Sequence, residues 1–285
     1  MSTRSRLKRT VFTALGAIRN ERVLDGFADL LVRLTSLFDG CRRQIRARKA
    51  GPVNDLPRSV LESHPPWAGA ATVRHPDVPA MINDEESDYY VWLMSRYSKR
   101  GAVVELGPWL GSSTCYLVDG LRKSPDFDRK QRMFVFDDFV WRSSWMDAFM
   151  SVNTRPGNHD SFRHLFDENT GAYAESLSVT RARISDYDGN ESIPSMTWSE
   201  GLIEFLVVDC GRTIDANRAW WDLLSPFFIP GRSLLILEDW QTHTAVPRQW
   251  FNQMKLFTDE RSDQLELVHE LLSGDVATFL YTGHA

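Results

Sequence analysis

Residues 102–114 read AVVELGPWLGSST, and this stretch decides the fold. It begins as an apolar strand that ends near Glu105, turns through Gly107 and Gly111, and then opens a helix. In open α/β sheets such a junction lies where a nucleotide-like ligand binds, because glycine lets the backbone approach and the helix start offers free N–H groups. Glu105 is placed where a carboxylate can accept hydrogen bonds from a ligand. The stretch therefore predicts a ligand crevice after the first strand.

Apolar runs and helical segments alternate through the rest of the chain. Continuous apolar strands flanked by helices indicate a parallel sheet that is covered on both faces. The C-terminal part breaks this rhythm, since two apolar runs separated by Ser-Gly-Asp predict an antiparallel hairpin. The expected fold class is α/β, with a mostly parallel seven-stranded sheet and a C-terminal antiparallel hairpin. The expected strands are 102–106, 133–138, 177–184, 203–209, 233–239, 265–272 and 276–281.

Composition is that of an ordinary globular chain, but the charge is unevenly distributed. Of the 285 residues, 42% are hydrophobic and 25% charged, and the net charge is −5. Residues 1–50 hold twelve Lys and Arg against four Asp and Glu, a net charge of +8, which leaves −13 for the other 235 residues. An acidic body argues against a nucleic-acid enzyme, because a phosphate backbone is bound by a basic face. The basic segment leaves contact with a membrane surface open.

Three widely spaced cysteines, Cys41, Cys115 and Cys210, form neither a disulfide framework nor a zinc pattern, which indicates a reducing compartment. No apolar run approaches the roughly 20 residues that a membrane span needs. Residues 1–20 are basic without an acid, yet their apolar part is short and has no convincing cleavage site, so we interpret them as mature sequence. We therefore expect a cytoplasmic protein.

Three regions are expected along the chain. Residues 1–50 predict a basic amphipathic helical extension, in which apolar residues recur at spacings of three and four. The apolar stripe of residues 20–49 either packs on the main domain or pairs with a second copy, which would make a homo-oligomer. Residues 51–83 carry six prolines and predict a linker or wrapping arm. Residues 84–285 form the main domain, in which the insertion 139–175 is expected to act as a lid.

A short motif after the first expected strand resembles a motif of the class I S-adenosylmethionine-dependent methyltransferases. Glu105, Gly107, Gly111 and Ser113 form an E-x-G-x-x-x-G-x-S pattern that is similar to the first motif of this family. The resemblance implies that these four residues bind S-adenosylmethionine (SAM). It also implies that residues 84–282 adopt the Rossmann-like methyltransferase fold, to which the N-terminal helical extension is added.

A second motif, Phe-Asp-Asp-Phe at residues 136–139, looks like the one in which an acid after the second strand receives the ribose hydroxyls of the cofactor. The resemblance assigns this contact to Asp137, and a carboxylate can accept two vicinal O–H bonds at once. A helix cap after the strand is the alternative for Asp137. Asp186, after the third expected strand, falls near where the family contacts the adenine.

Acidic residues also follow the fourth and fifth expected strands, at Asp209, Glu238 and Asp239. Three carboxylates at one edge of a sheet repel one another unless they are protonated or bridged by a cation, and Mg²⁺ prefers oxygen ligands. The pattern is similar to the metal site of the sugar O-methyltransferases of macrolide and aminocoumarin biosynthesis and of their cephalosporin-pathway relatives. The resemblance implies that these three residues bind Mg²⁺ or another divalent cation. Loop capping or pairing with arginines is the alternative.

The resemblance implies transfer of the sulfonium methyl group to a substrate hydroxyl, assisted by the metal. The relatives often carry a further acid, which can serve as general base, two residues after the aspartate that ends the fourth strand. In this chain that position is Gly211. His243 is the candidate base instead, because imidazole titrates near neutral pH. A solvent-exposed loop histidine is the alternative. Aromatic and cationic residues in the insertion favour a small hydroxyl acceptor such as a saccharide or glycosylated natural product.

Two other functions compete with that of an O-methyltransferase. A non-catalytic partner or scaffold protein with this fold is suggested by Gly211 and by the basic N-terminal segment. A nicotinamide-dependent oxidoreductase would need a G-x-G-x-x-G fingerprint, whose middle glycine is Trp109 here and would crowd a pyrophosphate.

Four of the ten tryptophans have an expected place in the fold. Trp145 and Phe149, with two neighbouring methionines, either line a substrate site or form one face of a packed helix. Trp220, Trp221 and Trp250 occupy helical positions and are expected in the core.

Overall fold

Seven strands form one sheet at the centre of the computed structural model, which describes residues 65–128, 131–151, 153–184, 192–210, 213–240, 253–271 and 276–283. The strands are β1 (Ala102–Leu106), β2 (Met133–Asp137), β3 (Leu177–Arg181), β4 (Ile203–Val208), β5 (Leu234–Leu237), β6 (Leu265–Glu270) and β7 (Ala277–Tyr281). Their order in the sheet is β3-β2-β1-β4-β5-β7-β6. β1 to β5 pair in parallel, whereas β7 runs antiparallel to both β5 and β6. The expected α/β class, with its C-terminal hairpin, is confirmed.

Helices connect most of the parallel strands. They are α1 (Asp84–Met94), α2 (Ser112–Lys123), α3 (Ser143–Met146), α4 (Arg163–Asn169), α5 (Ile214–Leu224) and α6 (Gln253–Glu260). Short 3₁₀ turns lie at Asp147–Phe149, Gly171–Ser176 and Ser225–Phe227. Within the described ranges, no helix is both long and apolar enough to cross a membrane. The expectations for residues 1–50 and for Asp186, Gly211, His243 and Trp250 fall outside the described residues.

The core has two parts, one on each face of the sheet, and successive residues along a strand belong to different parts. Val103 and Phe205 pack with α1 and α2, while their neighbours Val104 and Leu206 pack with α5. Because side chains along a strand alternate between the two faces, the sheet is covered on both sides, as its apolar strands predict. Trp220 and Trp221 of α5 are buried, which confirms their expected place in the core.

The start of α1 is fixed by a capping box at Asn83. The Asn83 side chain accepts hydrogen bonds from the Glu85 and Glu86 N–H groups at 2.9 and 3.1 Å. The Glu86 carboxylate in turn accepts from the Asn83 N–H at 2.6 Å. Asparagine and aspartate are comparable N-caps, so the sequence alone does not decide between adjacent positions.

Residues 65–83, the described part of the proline-rich segment, wrap around α1. The Trp67 side chain is 3% exposed and meets the Tyr89 ring edge-on, with ring centres 5.1 Å apart. Asp88 of α1 accepts hydrogen bonds from the backbone N–H groups of Gly69 and Ala71 at 2.6 and 3.0 Å. These contacts favour a wrapping arm over a free linker for this part.

Asp88→Asn is expected to loosen this arm. The largely buried carboxylate also accepts a hydrogen bond from Arg74 at 3.0 Å. The substitution therefore removes the negative charge that strengthens all three hydrogen bonds. We expect the free energy of unfolding to fall by about 1–2 kcal/mol, as measured by urea denaturation. The control is Asp84→Asn, since the 91% exposed Asp84 side chain lies 3.7 Å from the same arginine. We expect Asp88→Asn to be less stable than Asp84→Asn, and equal stability of the two variants would contradict the prediction.

The insertion 139–175 contributes to the core more than a mobile flap would. Phe139, Trp141, Phe162 and Phe166 are all at most 1% exposed, and a single antiparallel bridge joins Val140 to Ser161. The role of the insertion as a lid stays a prediction.

The alternative of a packed helix face for Trp145 and Phe149 is wrong. α3 has only four residues and gives way to a 3₁₀ turn, so the helical spacing that would align these side chains is lost. Met146 is buried, but Trp145 is 39% exposed and Phe149 47% exposed.

Candidate functional site

The ends of β1, β2 and β4 meet at the point where the strand order reverses. From β1 the chain continues to β2 and β3 on one side, and β4 and β5 lie on the other. The Gly107 N–H donates to the Phe136 carbonyl at the end of β2 (3.0 Å), and the Asp209 N–H donates to the Leu106 carbonyl (2.9 Å). In open α/β sheets, ligands bind at such a reversal, outside the carboxyl ends of the strands.

The two glycines of the turn are required by close contacts within the protein. Gly107 has φ +83°, and a Cβ added there would lie 2.8 Å from the backbone oxygen of Asp209. Gly111 has φ +92° and precedes α2, and its added Cβ would lie 2.5 Å from the Thr170 Cγ2 atom and 3.2 Å from the Phe166 ring. Gly107 thus allows close approach at the crevice, whereas Gly111 allows the segment after β2 to pack on the turn.

Glu105 connects β1 to α2 through side-chain hydrogen bonds. Its carboxyl oxygens accept hydrogen bonds from the Ser113 and Thr114 hydroxyls, both at 2.6 Å, and the side chain is 1% exposed. Burial raises the pKa of Glu105 to about 7, although the two hydroxyls oppose the shift. Glu105 and Ser113, both expected to bind cofactor, therefore contact each other and shape the turn. Their contact with a ligand stays a prediction.

Glu105→Gln is expected to remove a pH dependence of stability. Because the pKa of Glu105 rises from 4.5 to about 7 on folding, the folded protein keeps a proton that the unfolded chain releases between these values. Stability therefore falls as pH rises through this window, with a slope that approaches about 1.4 kcal/mol per pH unit. Urea unfolding at pH 5, 6, 7 and 8 should show that the free energy of unfolding of Glu105→Gln increases relative to that of the wild type as pH increases. A difference that is constant with pH would contradict this.

The two acids at the end of β2, Asp137 and Asp138, have different surroundings. Asp138 pairs with Arg142 at 2.6 Å and accepts from the Val140 N–H at 3.0 Å. Asp137 Oδ1 accepts from the Phe139 N–H, and the charge of Arg142, which pairs with Asp138, also acts on Asp137. Burial, followed by the charge of Asp138, raises the pKa of Asp137. The arrangement leaves Asp137 as the better candidate for binding hydroxyl groups, although its contact to Phe139 is also the loop cap considered as the alternative.

The predicted metal ligands lie at the ends of two paired strands. Val208 of β4 is in register with Leu237 of β5, so Asp209 and Glu238 follow adjacent positions, and Asp239 comes next with φ +57°. Carboxylate oxygens suit a hard divalent cation. Nevertheless, the described residues include no group of three or more His, Cys, Asp or Glu side chains arranged to hold a metal ion. The donor chemistry fits Mg²⁺, and the metal site stays a prediction.

Trp109 is a candidate binding residue that the sequence analysis did not assign. It lies inside the Gly-rich turn with φ +44°, is 6% exposed, and contacts the Phe149 ring edge-on at 5.5 Å between centres. A left-handed backbone is uncommon for a bulky residue and occurs at functional sites. The signal in the sequence was a large aromatic residue between two turn glycines.

Comparison with known proteins gives matches among solved structures alone. No protein-family profile matches the chain, and no match is found among curated proteins. The structure of the O-methyltransferase NovP aligns with a TM-score of 0.50 and 16% identity over 72% of this chain and 83% of NovP. The O-methyltransferase TomG from Streptomyces achromogenes, solved with SAM, gives 0.47 and 14% over 76% of this chain and 88% of TomG.

The likeness to NovP agrees with the sheet order, the C-terminal hairpin and the Gly-rich turn at the strand reversal. An identity of 16% supports a statement about fold and none about substrate. The chain has the Rossmann-like fold of the class I SAM-dependent methyltransferases.

Proposed function

We propose that this protein is a SAM-dependent O-methyltransferase that acts, with help from a divalent metal, on a hydroxyl group of a saccharide or glycosylated natural product. One observation carries the proposal: Gly107 lies at the strand reversal, between the end of β2, whose last residue is Asp137, and the end of β4, which Asp209 follows. This is where the fold binds its ligands, and the chain has a carboxylate there that suits a ribose.

The residues of this crevice would divide the work of binding the cofactor. Asp137 would accept the ribose hydroxyls, and the backbone at Gly107 would approach the cofactor closely because no side chain intervenes. Glu105 would hold the turn in place through Ser113 and Thr114. When bound, SAM supplies an electrophilic methyl group. The acceptor hydroxyl must lose its proton on methylation, and His243 remains the candidate to receive it.

The metal and the acceptor are the finer parts of the proposal. Asp209, Glu238 and Asp239 supply the oxygen donors that a divalent cation prefers, at the ends of the paired strands β4 and β5. Exposed aromatic residues after β2 favour an acceptor with both apolar and hydroxylated faces.

Isothermal titration calorimetry with SAM and S-adenosylhomocysteine (SAH), with and without Mg²⁺, tests the proposal. We expect cofactor binding in the micromolar range by the wild type. A separate Mg²⁺ isotherm that Asp209→Asn removes would support the metal. Cofactor binding without that isotherm would retain the methyltransferase and reject the metal. If neither SAM nor SAH binds up to millimolar concentration, the proposed function is wrong.

Two outcomes would favour the competing functions. Cofactor binding without methyl transfer to any member of a polyol and glycoside panel would favour a non-catalytic partner protein. Quenching of tryptophan fluorescence by NADH but not by SAM would favour an oxidoreductase. The buried Trp109 side chain, in the turn that a pyrophosphate would have to approach, argues against the latter.

A further inference from the structure

Three aromatic side chains, Trp109, Trp145 and Phe149, form a cluster that we call the aromatic platform. The ring centre of Trp109 lies 5.5 Å from that of Phe149, at 74°, and 6.5 Å from that of Trp145. Trp109 belongs to the Gly-rich turn after β1, while the other two follow β2. The aromatic platform therefore joins the two segments that carry the proposed cofactor-binding residues.

The aromatic platform presents apolar surface on a firmly held segment. Trp145 and Phe149 are two of the few large apolar side chains that are exposed in the described part of the chain. In the same segment, the buried Trp141 donates its Nε1–H to Asp147 at 2.7 Å, and Asp147 also pairs with Arg155 at 3.0 Å. Exposed aromatic faces on an anchored segment are typical of a ligand-binding surface, because little ordering is needed on binding.

The aromatic platform also contains a hydrogen-bond donor, the Trp109 Nε1–H, that has no acceptor among the described residues. The Trp109 side chain is 6% exposed. Buried donors are normally paired with protein, ordered water or a ligand. Indole nitrogen can only donate, so the missing partner has to be an acceptor such as a hydroxyl oxygen.

We propose that the aromatic platform is the acceptor subsite and binds the ring of a saccharide, an inference that rests on the proposed function. A pyranose has an apolar C–H face, which stacks on the exposed rings of Trp145 and Phe149. It also carries hydroxyl oxygens, one of which accepts from Trp109 Nε1. Because Trp109 lies within the Gly-rich turn, a pyranose bound to the aromatic platform would lie next to the cofactor crevice. One of its hydroxyl groups could there receive a methyl group.

Ligand-observed saturation-transfer NMR with methyl β-D-glucopyranoside, in the presence of SAH, tests this subsite. We expect transfer to the ring C–H protons, reduced at least fivefold in Trp145→Ala and in Phe149→Ala. Trp109→Phe keeps an aromatic ring, although a smaller one, and removes the N–H, so it should weaken affinity about fivefold. Leu202→Ala is the matched control, since Leu202 is 52% exposed and precedes β4 at the opposite end of the sheet, and transfer should be unchanged.

The outcomes separate this inference from the proposed function. If SAH binds but the wild type shows no transfer to the glycoside up to 50 mM, or if the three platform variants match the wild type, the saccharide subsite is wrong while the methyltransferase stands. Transfer to catechol without transfer to the glycoside would also overturn it. If SAH does not bind, the proposed function fails, and the glycoside titration without SAH still decides whether the aromatic platform binds sugar. Urea unfolding midpoints confirm that each variant is folded.

Discussion

Replacing Gly107 by alanine is expected to abolish cofactor binding and to lower the free energy of unfolding by about 3 kcal/mol. The added Cβ would lie 2.8 Å from the Asp209 backbone oxygen, and a backbone atom at a strand end cannot move as the end of a side chain can. The φ of +83° adds the strain of a left-handed L-residue. Urea denaturation would measure the stability, and calorimetric titration with SAH the binding.

Gly171→Ala is the matched control for this substitution. Gly171 lies in a 3₁₀ turn, and a Cβ added there would meet no atom within 4 Å. We expect its free energy of unfolding to stay within about 0.5 kcal/mol of the wild type, with SAH affinity unchanged. Equal effects of the two substitutions would mean that the close approach at Gly107 does not exist.

Asp137→Ala is expected to weaken SAH binding by about 10²–10³-fold, because two charge-assisted hydrogen bonds to the ribose would be lost. Asp137→Asn keeps one acceptor oxygen and should lose roughly tenfold. The control is Asp167→Asn, whose half-exposed carboxylate pairs with Arg163 on α4 at 2.7 Å and should not affect affinity. Calorimetry with SAH measures all four proteins. An Asp137→Ala protein that is folded and binds SAH as the wild type does would remove Asp137 from the site.

The same carboxylate should make cofactor binding sensitive to pH. Burial and the neighbouring charge of Asp138 raise the pKa of Asp137, so its charged form, the stronger acceptor, is lost on mild acidification. The SAH affinity of the wild type is expected to fall between pH 8 and pH 6, whereas that of Asp137→Asn should change less. Parallel pH profiles for the two proteins would contradict this assignment.

The strands were open to prediction from sequence because local signals carry them. Every residue of β4 and β5 is buried, and all of them except Glu204 are apolar. The C-terminal hairpin is marked by two strand-like segments around Ser-Gly-Asp. The Gly-rich turn was equally visible, since Gly107 and Gly111 both need a positive φ. These features depend on neighbouring residues and so appear in the sequence itself.

The contacts that shape the site depend on residues far apart in sequence. Gly111 is needed because Thr170, 59 positions later, packs against it, and no local pattern shows this. The exposure of Trp145 arises because α3 ends after one turn, although the spacing of its apolar residues suits a longer helix. The pairing of Asp138 with Arg142 could have been inferred from their i, i+4 spacing, but its consequence for Asp137 required the structure.

The position of β7 has a consequence for how the domain is made. Of the seven strands it is the last to leave the ribosome, yet it lies inside the sheet, between β5 and β6. Until residue 281 has emerged, β6 has no strand to pair with and β5, whose four residues are all apolar, has an open edge. An open apolar edge is prone to pair with other chains. Completion of this sheet is therefore a late event in synthesis, and the nascent domain depends on protection of that edge until β7 is inserted.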